Sequence, residues 1–264
     1  MSSPPPPGLF AGTAWHYARY QPGYPQQFFD DILNRLRPDK SGRLLDLGCG
    51  TGQLTIPLAP HFIEAVGLDP EPDMLLEAAN GAHSAGITNA TWIQASSTDL
   101  PAQLGKFQLV TMGRSFHWMD REKVLTALGR MTDKNSTVVL ANDSCMIRPA
   151  TAWQQAIEAV QARYLPRDSA PPSLPDHADT RTHEQVLTHS PFPRVERIAY
   201  EFDRVWTREQ AIGYLYSTSL PLRRLLGNRR ADFEAEVGQA LTAAEPSGIL
   251  LEPVTLEVLI AAKP

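Results

Sequence analysis

Short apolar runs alternate with amphipathic runs along residues 43–142. Five runs are short and rich in apolar or β-branched residues, as buried strands are: GRLLDLG, FIEAVGLD, ATWIQAS, KFQLVTMG and STVVLAND. Between these runs lie three segments with the apolar spacing of helices: QLTIPLAPH, PEPDMLLEAANGAH and DREKVLTALGRM. Asp120 is the expected N-cap of the last. This alternation predicts βαβ units with right-handed crossovers and a parallel sheet.

The segments on either side have different patterns. Before the first strand, one apolar helical stripe predicts a covering helix that Pro38 ends; its members are Phe29, Ile32, Leu33 and Leu36. After Asn142, RIAYEFDRVW and VTLEVLIAA have strand patterns and are expected to pair as a C-terminal hairpin. Capping boxes at Thr182–Gln185 and Thr207–Gln210 predict short helices. Longer helices are predicted from Trp153, Ile157, Val160 and Tyr164, and over residues 230–244 from Phe233, Val237 and Leu241.

These patterns predict a Rossmann-like α/β fold with a doubly wound, seven-stranded, mostly parallel sheet, an antiparallel C-terminal hairpin and a helical cap insertion. Residues 1–9, which include four successive prolines, are expected to form a disordered tail. Residues 10–264 are expected to form a single domain. Its parts are a lid and covering helix (10–40), a cofactor-binding core (41–143), a cap (144–194 and 207–248) and C-terminal strands (195–206 and 249–264).

Charge and cysteine content narrow the range of functions. The formal charge of −5 provides no basic surface for nucleic acid, so a small-molecule partner is expected. Cys49 and Cys145 are too few for a disulfide framework or a zinc cluster, which predicts a cytoplasmic protein without a metal site. No apolar run approaches the ~18 residues that suggest membrane spanning, so the chain is expected to be a soluble monomer or homodimer.

The stretch LLDLGCGTG places Gly48, Gly50 and Gly52 directly after the first predicted strand. A strand, a glycine turn and a helix N-terminus in this order are typical of nucleotide-cofactor sites. Asp69 ends the next strand, 21 residues after the first glycine, where an acid is expected to bind ribose hydroxyls. The spacing G-x-G-x-G differs from the dinucleotide pattern, and Asp46 suits an ammonium group better than a pyrophosphate.

Four motifs in order, LLDLGCGTG, VGLDP, ASSTDLP and FQLVTMG, make residues 10–142 resemble the class I S-adenosylmethionine-dependent methyltransferases. YARYQPGYP, SFHWMD and WTREQAIGYLYSTS are similar to the trans-aconitate methyltransferase-like branch of small-molecule enzymes. The resemblance implies S-adenosyl-L-methionine as cofactor and S-adenosyl-L-homocysteine as product. It also implies methyl transfer to an oxygen or nitrogen of a small metabolite, with a carboxylate among the candidate acceptors.

The resemblance implies a set of cofactor contacts. Gly48, Cys49, Gly50 and Gly52 are expected to line the methionine part, with Asp46 behind them, and Asp69 to hold the ribose. Pro70 and Met74 are expected to flank the adenine, with Ser96 and Ser97 at its edge, where Ser96 replaces the family's common Asp. Tyr17 and Arg19 from the aromatic segment FAGTAWHYARYQPGYP, together with Gly113 and Ser115 after the fourth strand, complete the set. This segment is expected to form a lid, or alternatively Trp15 and Tyr20 only dock it on the core.

His117 is the candidate general base, since an imidazole titrates near neutral pH, with Tyr17 as a second catalytic candidate. A structural role for His117 is the alternative. Phe116 and Trp118 are candidates for the substrate wall or, alternatively, for burial. In the cap, Tyr214, Tyr216 and Ser217 are expected to face the acceptor, and the arginines of RRLLGNRR to bind an acidic acceptor or to form a solvated face.

Two rival functions remain open at this level. One is an NAD(P)-dependent oxidoreductase, which the missing third glycine of the dinucleotide pattern disfavours. The other is a non-catalytic binding module, because a fold does not determine a function.

Overall fold

The computed structural model describes residues 12–100, 103–143, 150–165, 180–218, 220 and 222–264. The predicted tail (1–9), Cys145 and most of the proline-rich stretch between the cap helices lie outside these residues. Within the described ranges, no helix is both long and apolar enough to cross a membrane.

A seven-stranded sheet forms the centre of the molecule, with strand order β3-β2-β1-β4-β5-β7-β6. The strands are β1 (Arg43–Leu47), β2 (Glu64–Asp69), β3 (Ala90–Gln94), β4 (Phe107–Gly113), β5 (Thr132–Asp143), β6 (Arg194–Trp206) and β7 (Leu250–Ala262). The first five strands pair in parallel, whereas β7 is antiparallel to both β5 and β6. The predicted fold class is therefore confirmed.

Helices cover both faces of the sheet and form the cap. They are α1 (Ala14–Tyr20), α2 (Gln26–Leu36), α3 (Thr55–Leu58), α4 (Pro72–Ser84), α5 (Arg121–Arg130), α6 (Ala152–Tyr164), α7 (His183–Thr188), α8 (Arg208–Leu215), α9 (Leu222–Leu226) and α10 (Arg230–Ala244). Asp120 caps α5 as predicted, and both predicted capping boxes are present at the starts of α7 and α8. Helix α1 lies in the aromatic segment, for which the sequence pattern predicted no helix.

Alternate residues of the central strands pack on opposite faces of the sheet, as the strand geometry requires. Leu44 of β1 and Leu109 of β4 belong to a core cluster with Phe28 of α2. Leu45 and Val110, the next residues along each strand, belong to a second cluster with Leu125 of α5. A third apolar cluster lies within the cap, between α6, α8, α9 and α10. The central strands are thus buried on both faces, which explains why residues 44–47 of β1 are all buried.

Two details differ from the sequence patterns. Strand β5 begins at Thr132 rather than at Ser136, because Thr132 pairs with Phe107 before an irregularity in the register with β4. Strands β6 and β7 pair along 13 residues each, but α8, α9 and α10 lie between them in the chain. The connection between the two C-terminal strands therefore contains the cap helices α8, α9 and α10.

Candidate functional site

The carboxyl ends of the parallel strands meet at one edge of the sheet. Strands β1 and β4 are neighbours there, although two further strands lie between them in the chain. In open α/β sheets, ligands bind at this topological switch point. The glycine loop leaves β1 at this position, and residues 114–119 leave β4 beside it.

The glycine loop is shaped by its own protein neighbours. Gly48, Gly50 and Gly52 have φ values of 70°, 52° and 81°, which side chains other than glycine rarely adopt. A Cβ on Gly48 would lie 2.6 Å from Ser115 Cβ, and one on Gly52 would lie 2.8 Å from Trp92 Cη2. A Cβ built on Gly50 would have Cε1 of Tyr17 as its nearest neighbour, at 3.7 Å. Two of the three glycines therefore allow close packing within the chain, and the third faces the lid.

The amide hydrogens of this loop point inward. Gly48 and Cys49 both donate to the carbonyl oxygen of Leu68, at 2.7 Å and 3.1 Å, and Gly52 donates to Cys49 at 2.9 Å. The Gly50 amide donates to Asp69 Oδ2 at 2.9 Å. A pyrophosphate needs free amide donors of this kind. Because the donors are already used, the loop is better suited to a cationic ammonium group than to an anion.

Asp46 lies beneath the loop and is 1% exposed. Its carboxylate accepts hydrogen bonds from the Thr55 amide (3.1 Å), from Thr55 Oγ1 (2.6 Å) and from Thr111 Oγ1 (2.8 Å). Burial raises the pKa of Asp46 to about 6, although these hydrogen bonds oppose the shift. The carboxylate thus holds α3 against β1 and β4 beneath the loop.

Asp69 ends β2 next to the loop and is 7% exposed. Besides the Gly50 amide, it accepts the Glu71 amide on Oδ1 at 3.0 Å. Burial raises the pKa of Asp69, and both backbone hydrogen bonds oppose that shift. The side chain is therefore oriented by backbone donors on both of its oxygens, at the position predicted for ribose binding.

The residues expected around the adenine lie beyond Asp69. Pro70 is exposed, whereas Met74 is buried in α4. Ser96 follows β3 and caps the 3-10 helix Ser97–Asp99, accepting the Thr98 amide at 3.1 Å.

Cys49 of the glycine loop packs against β2, because its Sγ lies 3.0 Å from the position that a Cβ on Gly67 would occupy. Burial raises the pKa of this thiol well above its usual value, so Cys49 is a packing residue under the loop.

On the other side of the loop, the end of β4 and the residues after it form a short turn. Gly113, the last residue of β4, lies against the hydroxyl of Tyr24. Ser115 donates a hydrogen bond to the carbonyl oxygen of Leu47 at 2.8 Å. The 3-10 helix Phe116–Trp118 follows and carries His117 half-buried, with its ring 4.9 Å from the Trp118 ring. Phe116 is fully buried in the core, so its candidate role in the substrate wall is wrong.

Helix α1 lies across the glycine loop and on the cap. Tyr17 of α1 is the contact with Gly50, and burial raises the pKa of its hydroxyl. Tyr20 packs directly on Gly213 of α8 and donates to Glu209 at 3.1 Å, so it docks the segment. Trp15 is 48% exposed.

Arg19 is engaged outside the loop. Its guanidinium lies 4.2 Å from the centre of the Trp15 ring and 3.7 Å from Glu77 of α4. Its side chain is 46% exposed. The expected pairing of Arg19 with a cofactor carboxylate stays a prediction.

The arginine beside the loop is Arg114, which the sequence reasoning missed. It follows Gly113 with φ of 53°, a conformation that costs on the order of 1–3 kcal/mol in a residue other than glycine. Its Nε and Nη2 donate to the two oxygens of Asp143 at 2.6 Å and 3.0 Å. Its position directly after β4, at the edge of the sheet where ligands bind, is the sequence signal that indicates it.

Asp143 connects Arg114 to a second buried pair. Arg204 of β6 donates to Asp143 Oδ2 at 2.6 Å and to Glu252 of β7 at 3.0 Å. Glu252 also accepts the indole N–H of Trp206 at 2.9 Å and the amide of Gln154 at 3.2 Å. The pKa of Asp143 is lowered by the two arginines, even though burial alone would raise it. The network therefore joins the carboxyl ends of β4 and β5 to helix α6 of the cap.

The cap residues named as acceptor candidates are largely buried. Tyr214 packs against Trp206, and Ser217 donates to Gln21 Oε1 of the lid segment at 3.1 Å. The Tyr216 ring lies 5.3 Å from the ring of His16, which is also buried.

The arginine cluster of the cap divides into two groups. Arg223, Arg224 and Arg229 are exposed, whereas Arg230 is half-buried. Its guanidinium lies 4.8 Å from the centre of the Tyr216 ring and donates to Glu234 at 2.6 Å. Most of the cluster is therefore exposed to solvent, and Arg230 lies against Tyr216 of the cap.

Comparisons with known proteins agree with this geometry. Residues 44–135 match a family model described as a methyltransferase domain. A methyltransferase of Mycobacterium tuberculosis is 23% identical over 210 residues, which are 80% of this chain and 76% of that protein. A ubiquinone biosynthesis O-methyltransferase of Azorhizobium caulinodans is 31% identical over 151 residues, 53% of this chain and 58% of that protein.

A solved structure shares the fold. The structure named for a type II methyltransferase from Anaeromyxobacter dehalogenans superposes with a TM-score of 0.59 and 23% identity, covering 92% of this chain and 97% of that chain. At this identity, the likeness concerns the fold alone.

Proposed function

This chain belongs to the class I S-adenosylmethionine-dependent methyltransferases, and we propose that it transfers the methyl group to an oxygen or nitrogen atom of a small metabolite. One observation carries the proposal: the Gly50 segment of the glycine loop is hydrogen-bonded to Asp69 and covered by Tyr17 of the lid. When bound, S-adenosylmethionine supplies a methyl group already activated by its positively charged sulfur. The chain must therefore orient the reactants and exclude water.

On the donor side, the residues divide into those that bind and those that support. We assign Asp69 to the ribose hydroxyls, and the glycine loop to the methionine part, since its inward amides suit a cationic group. Pro70, Met74 and Ser97 are assigned to the adenine. Asp46 and Cys49 support the loop from below, because both are buried and directed into the sheet.

On the acceptor side, His117 is assigned as the general base, since it follows β4 at the ligand-binding edge and is half-buried. Tyr17 has a raised pKa and remains protonated at neutral pH, which makes it a hydrogen-bond donor rather than a base. For a carboxylate acceptor, Arg230 is the candidate partner among the clustered arginines, because it is the half-buried member. The scarcity of cysteine supports a cytoplasmic location.

Calorimetry with S-adenosylhomocysteine tests the donor assignment directly. We expect one binding site per chain, and no binding at millimolar ligand would reject the proposed function. A panel of small carboxylates, amines and hydroxyl compounds, assayed by release of S-adenosylhomocysteine, then identifies the acceptor class. Once the acceptor is identified, His117→Ala tests the general base, because a hydroxyl acceptor depends on a general base more strongly than a free amine does. Full activity of that variant would remove the assignment of His117.

A further inference from the structure

Two side chains from different loops hold consecutive carbonyl groups of the lid segment. Gln53, at the end of the glycine loop, donates from Nε2 to the carbonyl oxygen of Gln21 at 2.8 Å. Arg114, after β4, donates from Nη1 to the carbonyl oxygen of Pro22 at 2.9 Å. The same Nη1 lies 3.3 Å from Gln53 Oε1, which joins the two side chains. We call Gln53 and Arg114 the lid clamp.

The clamp is rigid because Arg114 is fixed on its other side. Asp143 takes the Nε and Nη2 hydrogens in a two-armed pair, and the ring of Tyr24 lies 4.7 Å below the guanidinium carbon. The Arg114 side chain is 12% exposed and that of Asp143 is 1% exposed. A planar guanidinium with five donors can serve the carboxylate and the lid carbonyl simultaneously, whereas an ammonium group cannot match this geometry.

The clamp lies next to the part of the lid that covers the glycine loop. Tyr17 contacts Gly50 from helix α1, and the clamped carbonyls of Gln21 and Pro22 follow directly after that helix. Since the clamp binds backbone atoms, it sets the position of the chain itself rather than of one lid side chain. Opening the lid requires both hydrogen bonds to break.

We propose that Arg114 is a positioning residue for methyl transfer, which, together with Gln53, holds the lid closed over the methyl donor. This inference rests on the proposed function, because it takes the ligand under the lid to be the methyl donor. Arg114 acts through the lid backbone and through Tyr17. Its loss should therefore speed ligand dissociation and raise the KM for S-adenosylmethionine more than it lowers kcat.

The test uses the full chain and the variants R114Q, R114K and Q53A. The control is R35Q, because Arg35 is an exposed arginine of the covering helix α2 that pairs with Glu196 of β6. Calorimetry with S-adenosylhomocysteine and hydrogen exchange of residues 13–24 are measured for each. We expect affinity to fall at least 10-fold in R114Q and about 3-fold in Q53A, with faster exchange in the lid. R114K should recover part of the affinity, and R35Q should match the unmodified chain.

Wild-type affinity and wild-type lid exchange in a folded R114Q would overturn the inference. If R114Q fails to fold, Q53A decides, because it leaves the Arg114–Asp143 pair intact, and an unchanged affinity and lid exchange there would overturn it equally. Absence of S-adenosylhomocysteine binding in the unmodified chain would instead reject the proposed function, so the two failures are distinguishable.

Discussion

The donor side of the site and the lid side are built in different ways. On the donor side, the glycine loop and Asp69 lie within 26 residues of chain, between Leu44 and Asp69, and backbone hydrogen bonds hold them. On the lid side, Arg114, Asp143 and Arg204 come from three distant segments, and buried charges hold them. Contacts close in sequence therefore order the glycine loop, whereas long-range ion pairs order the residues that hold the lid segment.

This difference has energetic consequences. Backbone hydrogen bonds in the glycine loop use groups that every residue carries, so a substitution there acts mainly through shape and conformation. Buried charges depend on each other, because removing one partner leaves the other without compensation. The lid side should thus be the part where single substitutions destabilise the fold most.

The largest expected effect is that of Asp143→Ala. It leaves Arg114 and Arg204 buried without their shared carboxylate, so the free energy of unfolding should fall by about 3–5 kcal/mol. The matched control is Asp133→Ala at the other end of β5, where the exposed pair with Lys106 contributes at most about 1 kcal/mol. Urea unfolding of both variants measures the difference, and equal losses would contradict the buried-charge account.

The next effect is a pH dependence that comes from Asp46. Its folded-state pKa of about 6 lies above the ordinary value of 3.8, so the folded chain binds the proton more tightly than the unfolded chain does. Asp46 therefore lowers stability at neutral pH, by up to about 3 kcal/mol, and this cost disappears as the pH falls from about 6 to about 4.

Asp46→Asn removes this titration. In urea unfolding at several pH values, the unmodified chain should gain stability relative to the variant as the pH falls through that range. Asp143 does not confuse the comparison, since its pKa is lowered and its contribution is lost only below its ordinary range. Parallel pH profiles for the two proteins would show that the burial of Asp46 carries no such cost.

A third prediction concerns the affinity for the donor product. Asp69→Ala removes the carboxylate assigned to the ribose and frees the Gly50 amide, so the affinity for S-adenosylhomocysteine should fall roughly 30- to 100-fold, corresponding to about 2–3 kcal/mol. Asp73→Ala, an exposed acid in the first turn of α4, should bind like the unmodified chain. Calorimetry measures both, and equal affinities would remove the ribose assignment.

The smallest effects compare two glycines. Gly52→Ala places a Cβ 2.8 Å from Trp92 at a φ of 81°, and should cost about 1–3 kcal/mol of stability. Gly238→Ala in α10 has nothing within 4 Å, and should add about 0.5–1 kcal/mol through helix propensity. Thermal unfolding should move in opposite directions for the two variants, and a shared direction would show that packing does not distinguish them.

Much of the fold follows from local patterns. The strand and helix alternation of residues 43–142, the cap of α5 at Asp120 and the apolar stripe of α10 are all present as predicted. Each depends on residues a few positions apart. The early start of β5 was not predicted, because it depends on pairing with Phe107 in another strand.

The site shows the same division. Gly50 and Asp69, both indicated by sequence motifs, lie together because adjacent parallel strands bring their carboxyl ends together. The sequence pattern indicated Arg19 and did not indicate Arg114, although both are arginines near aromatic residues. The sequence pattern contains no information that pairs Arg19 with Glu77 and Arg114 with Asp143.

The sequence by itself determined the α/β fold class, the glycine loop after β1 and the acid after β2, because these depend on periodicity and on short spacings. Only the tertiary structure decided that the loop's amides point inward, that Asp46 supports α3, and that Arg114 contacts Gln53 whereas Arg19 pairs with Glu77. The physical reason is that hydrogen bonds and buried ion pairs are satisfied by whichever groups the fold brings within about 3 Å, and sequence distance does not specify that proximity.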